Sequence, residues 1–311
     1  MNIPQYNDVK QAHNLIQKQI HKTPVLYSYL IDNIAGAELF FKCENFQKTG
    51  SFKIRGATNS ILNLSASERE YGVVAHSSGN HAQALAYTAS KNGIKSYIVM
   101  PNNSPKVKID AVRSYGANIT FCEPTLEARE ENTNAIIEET GAKLIHPYDY
   151  FYTIAGQGTC AKELLEDVVD LDFIVSPIGG GGLMSGTLLS RNKLKKNCKV
   201  IGAEPEGAND AFLSMKAGKL VKNNKTNTIC DGLLTNLSNL TFEIISKNID
   251  DIYCVTDDEV KEAQTLIMQR MKIIVEPSSA TTLAVVLKNK SIFEGKRIGL
   301  ILTGGNVDIK L

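Results

Sequence analysis

Short apolar runs alternate with amphipathic stretches along nearly the whole chain, and this alternation restricts the possible folds more than any other feature. Residues 7 to 20 carry Val9, Ala12, Ile16 and Ile20 near helical spacing, and "AELFFKCE" then reads as a strand. From residue 50 the order is helix 52–64, strand "GVVAH", helix 81–91, strand "SYIVMP", a helix after Pro105, strand "ANITFC" and helix 125–139. A second series begins near residue 154 with a helix. It continues through "LDFIVSP", the run "IGGGGLMSG", another helix, "CKVIGAEP", "DIYCV", helices near 257–270 and 278–288, and "RIGLIL" closing on "TGGN". Strands separated by helices imply parallel sheets covered on both faces. Two such series imply two α/β units, with the ligand site expected in the cleft beyond the carboxyl ends of the strands. The polar stretch "VKNNKTN", 221–227, reads as a surface loop.

Composition narrows the partners. Charged residues make up 22% of the 311, the formal net charge is +1, and both signs are interspersed. Nothing electrostatic points to a nucleic acid or an anionic membrane, so a small molecule is the expected partner. Cys43, Cys122, Cys160, Cys198, Cys230 and Cys254 lie far apart without CxxC or zinc-ligand spacing, and read as small buried hydrophobes. The N-terminus lacks the apolar core of a secretory signal and no apolar run approaches a membrane span, so a cytoplasmic setting is the expectation.

Several short stretches carry chemistry. In "SFKIRG", 51–56, Lys53 sits at a helix start between Phe52 and Ile54, where poor solvation lowers an amine's pKa and makes it a nucleophile. The run "PIGGGGLMSG", 177–186, has four successive glycines before a helix, which lets backbone N–H groups converge on an anion such as phosphate. It lacks the Walker A lysine and the dinucleotide glycine spacing, so a phosphorylated cofactor that also needs an amine fits it better than a nucleotide. In "HSSGNH", 76–81, Ser77, Ser78 and Asn80 lie between a strand and a helix and can surround a carboxylate, although a plain helix cap reads equally well. Thr303 in "LTGGN" can aim its hydroxyl at a heterocyclic nitrogen, or the segment can be a tight turn. In "GAEPEGAND", Glu204 and Asp210 with the carbonyl of Ala208 suit a hard divalent cation, but by themselves read as an acidic loop.

Taken together, "SFKIRG", "SSGNH", "AGQGT", "GGGG", "GAEPEGAND", "EPSSA" and "TGGN" resemble, in order and over almost the whole chain, the fold type II pyridoxal-phosphate enzymes. The resemblance is to the branch holding serine/threonine dehydratases, serine racemase and threo-3-hydroxyaspartate ammonia-lyase. It implies an α/β fold of the tryptophan synthase beta type, with two open twisted sheets flanked by helices. The implied large cofactor-binding domain is 1–62 with 151–311, the small substrate-closing domain is 72–141, and 63–71 and 142–150 connect them. By the same resemblance Lys53 condenses with the pyridoxal 5'-phosphate aldehyde, Phe52 packs beside the ring, Asn80 contacts its 3-oxygen, and Gly179, Gly180, Gly181 and Gly182 hold the phosphate. Thr303 stands where the family often has serine against the pyridine nitrogen. Ser78 faces the substrate from the side opposite the lysine, and Ser77, Asn80, His81 and Arg129 resemble the set that recognises substrate. Glu204, Ala208 and Asp210 match a divalent-ion motif, for Mg²⁺ with Ca²⁺ or Mn²⁺ as options, and Tyr148 falls at a variable cleft position.

The activity expected from the resemblance is an L-serine/L-threonine ammonia-lyase (dehydratase) forming pyruvate or 2-oxobutanoate and ammonia. Serine racemase, alone or alongside dehydration, threo-3-hydroxyaspartate ammonia-lyase, and a noncatalytic small-ligand sensor are the alternatives. A homodimer without an added regulatory domain is implied, and a nucleotide effector stays open.

Overall fold

Alternate residues of each strand face opposite sides of a sheet, and here both sides are apolar. The computed structural model describes residues 2–77, 79–104 and 106–308. The strands are β1 (Val25–Leu26), β2 (Glu38–Cys43), β3 (Val73–His76), β4 (Ser96–Pro101), β5 (Asn118–Cys122), β6 (Lys143–Leu144), β7 (Phe173–Pro177), β8 (Lys199–Pro205), β9 (Asp251–Val255) and β10 (Arg297–Leu302). They form a six-stranded sheet in the order β1-β2-β10-β7-β8-β9 and a four-stranded sheet in the order β5-β4-β3-β6. Within them every pairing is parallel except β1 with β2.

In the larger sheet Leu39, Phe41, Val175, Leu300 and Leu302 pack on one face with Val260, Ile267 and Leu283 from the helices Asp257–Met271 and Pro277–Lys288. Ile174, Val200, Ile252 and Ile301 face the other way, toward Leu164, Met184 and Leu188. The smaller sheet does the same with Val73, Ala75, Ile98 and Met100 against Leu85 and Ala89, and with Val74 and Val99 against Ile136. All six cysteines are free, and all but the half-buried Cys254 are buried. Residues 221–227 form a loop.

The sequence pattern misses the shortest elements. β1 and β6 have two residues each, and the short helices Tyr29–Ala35 and Ala66–Tyr71 fall between stronger signals. Their spans are too short to show a period. The helix expected from about 154 begins at Phe151.

A buried charge cluster locks the helix Lys53–Leu62 in place. Arg55 donates to Glu44 at 2.8 Å through both Nε and an η-nitrogen, to Glu163 at 2.8 and 2.7 Å, and to Thr159 Oγ1 at 3.1 Å. Lys42 donates to Glu163 at 2.7 Å and to the Thr23 carbonyl at 2.8 Å. Two cations and two carboxylates thus balance, each with hydrogen bonds that offset the cost of leaving water. The cluster ties together β2, the Lys53–Leu62 helix and the helix Phe151–Asp167.

Burial pushes the Glu163 carboxyl up, but Arg55 and Lys42 prevail and bring it down to about 2. A carboxyl depressed on folding contributes stability that is complete above its unfolded value and is lost as pH falls through the folded one. Glu163→Gln is therefore expected to cost about 3 kcal/mol at neutral pH, an amount typical of breaking a buried pair. The urea-midpoint difference between the variant and the parent should shrink below about pH 4. A difference that stays constant to the lowest accessible pH would show that the Glu163 charge is not what holds the cluster.

Candidate active site

Three strand ends converge on one cavity of about 810 Å³. β3 leads into Ser77 and the helix Asn80–Lys91, β7 into the glycine run and the helix Gly182–Leu194, and β10 into Thr303. All three segments line the cavity, together with Phe52 and Lys53. The Phe52 N–H donates to the Thr303 carbonyl at 3.0 Å, which binds the start of the lysine helix to the end of β10.

Lys53 is half-buried, and its ammonium donates to the Pro147 carbonyl at 3.1 Å and lies 5.0 Å from the Phe52 ring centre. Desolvation pulls its pKa down to about 8, against an upward pull from Glu276. About one molecule in ten then carries a neutral amine at pH 7, roughly two to three hundred times more than for an exposed lysine.

The helix Gly182–Leu194 begins without a side-chain cap, and Gly181 before it has a left-handed φ of 85°. Its first N–H groups have no intrahelical partners, the arrangement that suits an anion. A Cβ on Gly180 would stand 2.3 Å from the Tyr148 ring, so the run is glycine because the tyrosine lies against it. The helix Asn80–Lys91 also starts uncapped, after Gly79. One cavity is therefore bordered by an amine of reduced basicity and two uncapped helix starts.

The remaining expected residues divide. Asn80 is at the cavity, but Nδ2 donates to Glu276 Oε2 at 2.9 Å and Oδ1 accepts from Asn306 at 2.9 Å, so its amide is already engaged. Ser77 Oγ accepts from the Gly79 N–H at 3.3 Å. His81 is buried, and Nε2 donates to the Ile145 carbonyl at 2.8 Å with its proton on that nitrogen. Burial lowers its pKa to about 3, so it is a neutral ring at physiological pH. Arg129 is half-buried at the cavity wall, with Nε on the Thr125 carbonyl at 3.1 Å. Ser78 lies outside the described residues.

Glu204 and Asp210 do not line this cavity and are buried. Glu204 accepts from the Ala211 and Phe212 N–H groups at 3.1 and 2.7 Å, and Asp210 from Leu237 N–H at 2.8 Å. Burial raises Glu204 well above the usual carboxylate range and Asp210 to about 6. Among the described residues no cluster of three or more His, Cys, Asp or Glu side chains is arranged for a metal. Two buried, under-compensated carboxyls beside the buried Ala208 nonetheless have the oxygen chemistry a hard cation takes.

Sequence reasoning missed Glu276. It is buried at the cavity, accepts from Asn80, and stands 3.2 Å from the Thr303 hydroxyl. Its signal was the "EPSSA" motif, but a glutamate ahead of a helix-starting proline reads as an ordinary N-terminal acid. The Lys108–Asp231 ion pair at the cavity and the T-shaped contact of His146 with Tyr148, ring centres 4.6 Å apart, were also not readable. Both join residues from separate parts of the chain or depend on ring orientation.

These residues fit pyridoxal phosphate. The amine has the reduced basicity that condensation with an aldehyde needs, the uncapped glycine-rich helix start suits a phosphate, and Thr303 supplies a buried hydroxyl at the cavity.

Comparison with known proteins agrees. A profile of the family described as "Pyridoxal-phosphate dependent enzyme" matches residues 16–304. The chain is 53% identical to a serine racemase of Dictyostelium discoideum over 306 residues, covering 97% of this chain and 94% of the relative. It is 48% identical to a beta-hydroxyaspartate dehydratase of Paracoccus denitrificans over 309 residues, covering 99% of this chain and 98% of the relative. The crystal structure of the Dictyostelium discoideum serine racemase superposes with a TM-score of 0.94 at 52% identity, covering 98% and 99% of the two chains.

The amine of Lys53 is expected to titrate near 8 in cofactor-free protein. Reductive methylation with ¹³C-formaldehyde should give one lysine resonance titrating there, absent in Lys53→Ala. A Lys53 resonance titrating with the surface lysines would contradict the desolvated environment.

Proposed function

The chain belongs to the pyridoxal-phosphate dependent enzyme family, and we propose that it eliminates water and then ammonia from a small β-hydroxy amino acid, L-serine or L-threonine first. The general class, a pyridoxal-phosphate enzyme of the ammonia-lyase or racemase kind, is shared with its relatives. The observation carrying the finer reading is the half-buried Lys53, lowered to about 8, on a cavity that also takes in two uncapped helix starts.

In this reading Gly179 to Gly182 hold the cofactor phosphate, Phe52 packs beside the ring and Thr303 meets the ring nitrogen. When bound, pyridoxal phosphate supplies an aldehyde for amines and a sink for negative charge at the substrate α-carbon. Lys53, with its amine partly neutral near pH 7, takes the α-proton. The start of the Asn80–Lys91 helix, with Ser77, receives the substrate carboxylate. Thr303 offers the ring a neutral hydroxyl, which withdraws electrons less than a charged partner would and so favours prompt loss of the β-hydroxyl over a long-lived carbanion. Racemisation needs a second proton position on the opposite face, which the resemblance assigns to Ser78. We further read 72–141 as the part that closes over substrate, and the protein as a homodimer. Among the described residues no helix is long and apolar enough to cross a membrane.

Arg129 at the cavity wall favours a second reading, ammonia loss from threo-3-hydroxyaspartate, because a guanidinium suits a distal carboxylate. The cofactor-loaded enzyme given L-serine, L-threonine and threo-3-hydroxyaspartate in parallel should turn over the first two best, with pyruvate or 2-oxobutanoate and ammonia formed in equal amounts. D-serine appearing alongside would add racemisation, and Lys53→Ala should lose all turnover. A kcat/KM at least tenfold higher for the dicarboxylate would overturn the serine/threonine reading.

We also assign a divalent cation, Mg²⁺ first, to Glu204, Asp210 and the Ala208 carbonyl. A carboxyl raised on folding destabilises as pH rises through its folded value. The cation should therefore raise Tm more at pH 8 than at pH 5, since Asp210 ionises near 6. Glu204→Gln should remove the gain, and a Tm indifferent to Mg²⁺, Ca²⁺ and Mn²⁺ in the parent would refute the assignment.

A further inference from the structure

Thr303 has one hydroxyl proton and three places to put it. Its Oγ1 is 3.2 Å from Glu276 Oε1 and 2.9 Å from Ser279 Oγ, and Thr303 also lines the cavity. Ser279 accepts from the Gly304 N–H at 2.9 Å, and its one proton can go to the Gly304 carbonyl at 2.8 Å or to Thr303 Oγ1. It holds the Thr303 oxygen in place from behind. The group that can change the arrangement is Glu276, whose side chain is buried and bonded on its other oxygen to Asn80.

We propose that Glu276 is a positioning residue that sets, by holding or releasing one proton, whether Thr303 presents a hydrogen-bond donor or an acceptor to the cofactor ring nitrogen. When Glu276 is a carboxylate, Thr303 donates to Oε1, and its lone pairs turn to the cavity, where they can accept from a protonated ring nitrogen. When Glu276 is the acid, its own O–H donates to Thr303 Oγ1. The threonine proton is then released to donate to an unprotonated ring nitrogen. The Glu276 O–H bond forms or breaks with one proton taken up from or lost to solvent, and a ring nitrogen that changes protonation exchanges its own proton with solvent separately.

Geometry supports the assignment. The Glu276 N–H is bonded to the Gly304 carbonyl at 3.0 Å, and a Cβ on Gly304 would come within 2.9 Å of its carboxyl. Acid and hydroxyl are thus held together by the backbone, and a bulkier residue at 304 is excluded. The charged groups facing Glu276 are Asp231, which opposes its ionisation, Lys108, which favours it, and Lys53, whose own basicity Glu276 raises. Burial outweighs the Asn80, Lys108 and Thr303 contributions and puts the carboxyl at about 7, so both forms are populated near neutrality. The ring's electron demand, and with it the balance between elimination and proton return at the α-carbon, would follow that one proton.

The proposal rests on the cofactor reading above, and the test separates the two. The holoenzyme is loaded with pyridoxal phosphate ¹⁵N-labelled in the ring, and the ¹⁵N chemical shift is followed from about pH 5.5 to about pH 8.5, bracketing the carboxyl's midpoint. The parent should show a shift change near neutrality. In Glu276→Gln, which is neutral at every pH, the change should vanish. Thr303→Ser should keep it, and Thr303→Val, which retains Glu276 but has no hydroxyl to relay the proton, should lose it. An unaltered change in Glu276→Gln or in Thr303→Val overturns the proposal while leaving the cofactor reading intact, and the Thr303 pair decides the matter if the Glu276 variant does not fold. A parent that acquires no visible cofactor band attributable to Lys53 overturns both.

Discussion

The separation between Lys53 and the glycine cradle is set by a third element, the helix Phe151–Asp167, and most of the site depends on how closely its neighbours approach it. A Cβ on Gly156 would come within 2.7 Å of the Arg55 carbonyl, and one on Gly186 within 2.4 Å of the Gly158 nitrogen. The helices carrying Lys53 and the glycine run therefore both press on the "AGQGT" segment at backbone contact. Arg55 adds a polar lock, because its guanidinium reaches Glu163 and Thr159 on that same helix. Close packing through glycine and a fully bonded buried cation leave the amine little room to move relative to the cradle.

Desolvation gives that geometry its chemistry. The same exclusion of water lowers Lys53 toward 8, keeps His81 and His146 neutral at about 3 and about 4, and raises Glu276 to about 7. Lys53 and Glu276, which would be fully charged in water, are brought close to balance around one cavity, while the two histidines stay neutral. Two uncapped helix starts add backbone N–H groups to the cavity, which carry no titratable charge and need no reorganisation.

Legibility in the sequence followed range. The strands and long helices were readable because their signals lie within ten or fifteen residues: apolar runs for β7 and β10, a glycine run before the helix Gly182–Leu194, and helical spacing from Val9 to Ile16. Lys53, the glycines and Thr303 were readable as local motifs, and the structure brings them to one cavity. Glu276 was not, since its partners Asn80 and Thr303 lie 196 and 27 residues away. Arg55 carries no local signal of its role, and only Glu44 and Glu163, 11 and 108 residues distant, reveal it as buried and paired.

The order of the longer elements, the two largely parallel sheets and the residue types able to hold a phosphate and an aldehyde were settled by the amino-acid sequence, because hydrophobic period, glycine tolerance and side-chain chemistry are local properties. Which of those residues meet, how much water each retains and therefore which protons they carry near neutrality were decided by the tertiary structure. Solvation and charge coupling depend on neighbours supplied by distant parts of the chain, and no local pattern encodes them.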